Sequence, residues 1–393
     1  MIRALVLLVA ATSVATAQEP PEAVPELPGQ GRPVDVAATS ARRERLLART
    51  GPGIVVVRAA PARDLEDQVL QDNDFRQDDD FFYLTGLETP DAWLIIAGAV
   101  GQPETHLFLP ARNPGQERWT GLRLGPGPDA VRLSGIAFVH DTAVLDSTAR
   151  AIAARVAGPV HALTRYSDRA PDLPAALADR PVRDIEPLLD SLRVVKDAAE
   201  VAALRRAITI TAEAQRAAMR AARPGMMEYQ IEAVVEYTFR NLGADRLGFP
   251  SIVGSGPNST TLHYDVNRRR IGDGDLVVVD VGAEYAQYTA DVTRTIPMSG
   301  RFTPRQRAIY DLVLASQEAA LAAVRPGITV RQLTAVARDH MRRHSGDLCA
   351  PGSCADHFVH GLSHWLGMRV HDVGDYGMPL EPGMVLTDRK SVV

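Results

Sequence analysis

Asp280 and Asp291 are the two side chains in this sequence best placed to do chemistry together. Asp280 closes the run Leu276-Val277-Val278-Val279-Asp280, and Asp291 sits in Thr289-Ala290-Asp291-Val292-Thr293-Arg294. A β-branched run reads as a buried strand, and a carboxylate at its inner end costs several kcal/mol unless something positive neutralises it. A turn centred on Tyr285-Ala286 would form a hairpin with the two aspartates directly opposed, near enough to share one cation or bridge two. Either aspartate alone reads as readily as a turn cap. The pairing across the hairpin is what points to metal chemistry.

Four histidines extend the pattern. His360 and His364 are four apart, as in a helical zinc pair, but Gly361 and Gly367 argue against a stable helix there. His263 precedes His371 by 108 residues, and other features recur at a similar spacing. Arg223-Pro224-Gly225 returns 102 residues later as Arg325-Pro326-Gly327, each time between two helices; the second helices run over about 228–242 and 331–344. Gly274-Asp275-Leu276-Val277-Val278 resembles Gly383-Met384-Val385-Leu386-Thr387, 109 residues on. Two helix pairs, each leading to a histidine and a glycine-initiated strand, imply a pseudo-twofold domain with its site between the halves. The same offset calls for an acid at 389, where the chain has Arg389. His106, His140, His161, His340 and His344 lack such context and read as structural or exposed.

The elements that must position these residues can be read around them. Residues 30–185 alternate apolar runs such as Gly53-Ile54-Val55-Val56-Val57, Ala92-Trp93-Leu94-Ile95-Ile96-Ala97 and His106-Leu107-Phe108-Leu109 with turns and with a helix over 41–49. That mixture gives an α/β domain over 40–187, and a second domain over 188–387. The second opens on a capping box, Asp197-Ala198-Ala199-Glu200, which starts a long helix ending near Arg223. The acidic cluster Asp78-Asp79-Asp80 reads as a solvated loop rather than a cation site.

The bulk properties narrow the function classes. The 393 residues allow two domains, and a net charge of -5 with mixed signs leaves no basic face for nucleic acid. Arg3, the apolar run over 4–11 and Ala15-Thr16-Ala17 form a signal peptide over 1–17, cleaved before Gln18, followed by a proline-rich linker over 18–39. No later segment has the apolar length of a membrane span, so the mature protein is expected in the periplasm or outside the cell. Cys349 and Cys354, the two cysteines, are open to pairing as a disulfide there or to remaining free thiols; they are too few for structural zinc.

Together the motifs resemble the pita-bread metallopeptidases (creatinase, prolidase and methionine aminopeptidase-like), and within them the Xaa-Pro aminopeptidases, or aminopeptidase P. The resemblance covers most of residues 40–387. It rests on Arg76-Gln77-Asp78-Asp79-Asp80-Phe81-Phe82-Tyr83-Leu84-Thr85-Gly86, on Val253-Gly254-Ser255-Gly256 with His263-Tyr264, on the two aspartates, and on His360-Gly361-Leu362-Ser363-His364-Trp365-Leu366-Gly367 with Val370-His371-Asp372. It implies an N-terminal creatinase-like α/β domain followed by a pseudo-twofold pita-bread domain. It further implies two divalent ions, manganese as a rule, held in part by Asp280, Asp291 bridging, and His364. His263 and His371 would flank the scissile carbonyl and stabilise its oxyanion, and His360 would wall the proline pocket. The substrates implied are peptides with proline second, attacked by a metal-bridging water, and the family implies a homo-oligomer. Two such ions would lower the pKa of a shared water and polarise the carbonyl. An Xaa-Pro dipeptidase is the enzyme alternative.

The sequence departs from that family after Thr387, where a ligand glutamate and Pro-Gly are expected and Asp388-Arg389-Lys390-Ser391-Val392-Val393 stands instead. Glu381 precedes the strand and does not replace the missing ligand. The expectation is a metallopeptidase domain incomplete at its C-terminus, with a peptide-binding pseudoenzyme as the alternative.

Overall fold

The computed structural model describes residue 32 and residues 34–62, 75–99, 102–164 and 172–387; the expected leader over 1–17 and residues 388–393, with Arg389, lie outside the described residues. Strands β1 (Ile54–Arg58), β2 (Trp93–Ala99), β3 (Gln102–Leu109), β4 (Phe138–Asp141), β5 (Val160–Ala162) and β6 (Val182–Asp184) form one sheet in the order β4-β3-β2-β1-β5-β6. β2 is antiparallel to β1 and β3, and the other neighbours are parallel. Ile54 to Val57 are all buried because helices cover both faces, which is why the run is continuously apolar rather than alternating. The helices of this half are α1 (Val36–Thr50), α2 (Asp79–Thr85), α3 (Pro114–Thr120), α4 (Pro128–Ser134), α5 (Leu145–Arg155) and α6 (Glu186–Arg193), of which α3 buries no residue and takes no part in covering the sheet. Leu46, Phe81, Leu84, Leu189 and Leu192 fill one side of the sheet, and Ala149 and Ile152 the other.

The second half begins with α7 (Ala198–Ala221), whose capping box forms as the sequence indicates: Asp197 and Glu200 each accept the other's backbone N–H at 3.0 Å. α7 packs on α8 (Glu228–Asn241). Five of the remaining strands, β7 (Arg246–Leu247), β8 (Ile252–Ser255), β9 (Leu276–Val281), β10 (Ala283–Tyr285) and β11 (Tyr288–Thr289), precede β12 (Val292–Pro297). They pair as β11-β10-β7 and β12-β9-β8. The second helix pair of the repeat, α9 (Pro304–Ala322) and α10 (Val330–His344), also packs together. Its following segment differs from β9: among the described residues, Met384 and Leu386 make isolated bridges to Val195 and Trp365 rather than a ladder.

The register of the aspartate hairpin corrects the sequence reading. Asp280 pairs with Thr293, so Asp291 lies two positions from the residue opposite it. The turn is Ala286-Gln287, both at positive φ, 50° and 62°. That left-handed pair matches the twist of two paired strands, and a turn centre one residue later shifts the register by two. Because side chains alternate with a period of two, the shift keeps both aspartates at the same parity. Gly282 lies at the break between β9 and β10, where a Cβ would sit 1.9 Å from the Ala290 carbonyl oxygen; only glycine lets the strands approach there.

Asp78-Asp79-Asp80 is not a solvated loop. Asp78 caps α2, accepting from the N–H groups of Asp80 and Phe81, while Asp79 and Asp80 are each 1% exposed. Arg193 donates to Asp80 Oδ1 at 2.9 Å and to Asp372 Oδ1 at 2.8 Å, and Lys196 reaches Asp372 Oδ2 at 3.1 Å. Arg76 joins Asp79 at 2.7 Å to Glu284 at 2.8 Å and donates to the Met368 carbonyl, and Arg369 also pairs with Asp79. Composition alone favours solvent for three consecutive acids; the nearby Arg76 and cations from two distant segments, Arg193 and Arg369, override it.

Burial would raise the Asp79 pKa, but Arg76, Arg193 and Arg369 outweigh it and hold the carboxyl below its ordinary value. A depressed folded-state pKa contributes stability that is present above the unfolded value and is lost as pH falls through the folded one. Stability should therefore decline as pH drops below about 4, and more shallowly in Asp79→Asn. Arg193→Met, which strands buried carboxylates, should lose about 3–5 kcal/mol at neutral pH. Urea unfolding followed by circular dichroism at several pH values measures both.

Candidate active site

The six residues singled out in the sequence come together although they derive from four separate stretches of chain. A cavity of ≈ 230 Å³ is lined by His263, Asp280, His360 and His371, with Ile252, Val278 and Leu262 among its apolar walls. His371 stands edge-on to His364, with ring centroids 4.3 Å apart and an interplanar angle of 81°. His364 Nε2 in turn lies 3.0 Å from Asp291 Oδ2. A larger cavity of ≈ 530 Å³, lined by residues such as Arg112, Glu117 and Trp119, belongs to the N-terminal half and holds none of the six.

Local structure explains each placement. Val278 and Asp280, two apart on β9, point to the same cavity. His360 and His364 lie in a stretch that is not helical, as Gly361 and Gly367 suggested. The His364 backbone pairs with Thr387 through Thr387 N–H to the His364 carbonyl at 3.0 Å and His364 N–H to Thr387 Oγ1 at 3.1 Å. His371 is anchored by its neighbour: Asp372 is buried in the ion cluster, and its N–H donates to the Trp365 carbonyl at 3.1 Å. Gly367 lies beneath that carboxylate, where a Cβ would fall 2.0 Å from Asp372 Oδ2.

Sequence reasoning missed Gln215, which is buried on α7. Its Nε2 donates to the carbonyls of Val279 at 2.9 Å and Val292 at 2.7 Å, the residues just before Asp280 and just after Asp291. One amide thereby spaces the two carboxylate-bearing strands. One turn earlier, Thr211 Oγ1 accepts from Ala283 N–H at 3.0 Å. The available signal was two polar side chains on the stripe Leu204, Ala207, Ile210, Ala214 and Ala218, which is otherwise apolar.

The Asp291–His364 contact fits a metal-binding role. His364 Nδ1 is 3.0 Å from the Trp365 carbonyl oxygen, an acceptor, so the proton belongs on Nδ1 and Nε2 carries the lone pair. In that tautomer the lone pair faces a carboxylate oxygen, an approach that a proton or a metal ion held between the two makes favourable. Among the described residues, however, no three His, Cys, Asp or Glu side chains converge as a complete metal cage. The described donors are therefore part of a site: Asp291 and His364 in contact, with Asp280 in the adjoining cavity.

His364→Ala should lower affinity for a divalent ion at least about 10-fold, and Gln215→Leu should do so by a similar factor through the released strands. Calorimetric titration with manganese measures both, and a Gln215→Leu affinity equal to that of the parent would remove the spacing role.

Comparison with known proteins agrees with the architecture. Residues 39–160 match the aminopeptidase P N-terminal domain, and residues 202–389 match metallopeptidase family M24. The chain is 35% identical over 384 residues to the Xaa-Pro aminopeptidase of Escherichia coli (strain K12), covering 88% of this chain and 84% of that protein. It is 34% identical over 336 residues to Xaa-Pro aminopeptidase 3 of Rattus norvegicus, covering 80% and 66%. Zinc-substituted E. coli aminopeptidase P in complex with product superposes with a TM-score of 0.82 at 33% identity, over 91% of this chain and 87% of that one. Proline aminopeptidase P II from Yersinia pestis does so with a TM-score of 0.79 at 35% identity, over 90% and 87%. With both domain types in order and this likeness along most of its length, the chain belongs to metallopeptidase family M24 and, within it, to the Xaa-Pro aminopeptidases.

Proposed function

We propose that this protein is a metal-dependent aminopeptidase that releases the N-terminal residue from peptides with proline in the second position. The observation that carries the reading is the meeting of the Asp291–His364 pair with the cavity of His263, Asp280, His360 and His371. Asp280, Asp291 and His364 would hold divalent ions, which supply Lewis-acid polarisation of the carbonyl and a water acidic enough to react near neutrality. Oxygen donors with one imidazole favour manganese over zinc. The E. coli relative has been captured with the inhibitor Pro-Leu and, as a variant, with substrate.

The chain's own residues supply the rest. His263 and His371 flank the scissile carbonyl and donate hydrogen bonds to the oxygen as charge develops there, a contribution often worth about 3 kcal/mol. The nitrogen of a prolyl peptide bond carries no hydrogen, so proline is selected by shape. His360 beside Ile252, Leu262 and Val278 offers a partly apolar wall for its ring. The Nε2 lone pair of His364 is kept available by the Trp365 carbonyl.

We also propose that the protein is exported. The cleavable leader over 1–17 supports this, as does the Cys349–Cys354 disulfide, a bond that persists in oxidising compartments.

With manganese present, an Xaa-Pro-Xaa tripeptide should lose its first residue and the same peptide with alanine second should not. Cleavage confined to Xaa-Pro dipeptides would make the protein a dipeptidase, and saturable peptide binding without turnover would make it a pseudoenzyme. His360→Ala should raise KM for the prolyl peptide several-fold with a smaller change in kcat. Mass spectrometry of the exported protein should give Gln18 as its first residue; Met1 retained on cytoplasmic protein would overturn the export reading.

A further inference from the structure

Glu228 is a fully buried carboxylate at the first residue of α8, and it takes no direct part in the proposed reaction. Its oxygens collect donors from along the segment that follows β8. Ser255 gives its N–H at 2.8 Å and its hydroxyl at 2.7 Å to Oε1, and Asn258 Nδ2 approaches the same oxygen at 3.2 Å. The Tyr264 hydroxyl and the Arg269 N–H each reach Oε2 at 2.8 Å. The Glu228 N–H donates in return to the Arg269 carbonyl at 3.0 Å. Burial would raise the Glu228 pKa, but these hydrogen bonds more than compensate and keep the carboxyl below its ordinary value.

The segment bound in this way contributes Asn258, Ser259, Thr261, Leu262 and His263 to the active-site cavity, and His263 immediately precedes Tyr264. His263 itself is exposed, so the packing that orders a core side chain is not what holds it. We infer that Glu228 is a positioning residue that acts through His263, fixing the loop so that the imidazole meets the carbonyl oxygen of the substrate. The inference rests on the oxyanion role proposed for His263. A single charge at the start of α8 satisfies both ends and the middle of the loop, and it lies at the helix terminus that favours an anion. Asn267 adds a second tie, accepting from Val253 N–H at 3.0 Å and donating to the Ser251 carbonyl at 2.8 Å, but it holds only the C-terminal part.

The test compares the parent with Glu228→Gln, His263→Ala and the double variant. The amide keeps the shape of the carboxylate but turns an NH2 group toward donors. Glu228→Gln should lower kcat on a Xaa-Pro tripeptide roughly 10-fold or more with little change in KM. In the His263→Ala background the same change should have no further effect on kcat. In the metal-free protein it should speed tryptic cleavage at Arg268, Arg269 and Arg270 several-fold. Should Glu228→Gln fail to fold, Tyr264→Phe removes one of the ties next to His263 and should show the same pattern more weakly. A Glu228→Gln effect of equal size with and without His263 would overturn the inference alone. Undiminished kcat in His263→Ala would overturn the role given to His263 and the inference with it.

Discussion

A buried charge must find an opposite one, and much of this structure is organised around that requirement. Asp79, Asp80, Asp372 and Glu284 are all withdrawn from water, and Arg76, Arg193, Lys196, Arg246 and Arg369 converge on them. Removing any one leaves others uncompensated in a medium that solvates ions poorly, so the cluster tolerates one arrangement of its parts. Those parts are α2, the end of α6, β10 and the segment ending in His371 and Asp372. The N-terminal half is thereby tied to the region that carries His364 and His371 by directional contacts rather than by apolar packing alone.

The candidate site uses the same logic at smaller scale. Most of its side chains do not hold themselves in place; they are set by buried polar groups, some adjacent in the chain and some brought from other elements. Asp372 anchors His371, the Trp365 carbonyl and Thr387 orient His364, and Gln215 spaces the strands of Asp280 and Asp291. Glu228 does the corresponding work for the loop of His263. Hydrogen bonds in a low-dielectric interior are strong and angle-dependent, which suits them to fix a side chain that must meet a reacting atom closely.

Where the sequence was misread, the cause is physical in each case. The hairpin register was off by two because a turn of ordinary residues, Ala286-Gln287, adopts left-handed backbone that composition does not advertise. The alternation of side chains preserved the parity all the same. Asp78-Asp79-Asp80 reads as solvated in the sequence because two of its cationic partners stand far off in the chain, Arg193 on α6 and Arg369 in the segment before His371. The repeat correctly located both helix pairs, since capping and periodicity are local. It did not foresee that the segment around Met384 would make isolated bridges.

By itself the sequence determined the α/β character of the first half, the helix pairs, the capping box at Asp197 and the identity of the six candidate site residues, because each leaves a mark within a short window or in a recognisable motif. Tertiary structure alone decided that Asp291 meets His364 rather than sitting directly across from Asp280, and that the acidic run is interior. It also decided that Gln215 and Glu228 serve the site from helices. Those outcomes depend on which remote donors reach a buried acceptor, and that is settled only when distant segments pack and exclude water.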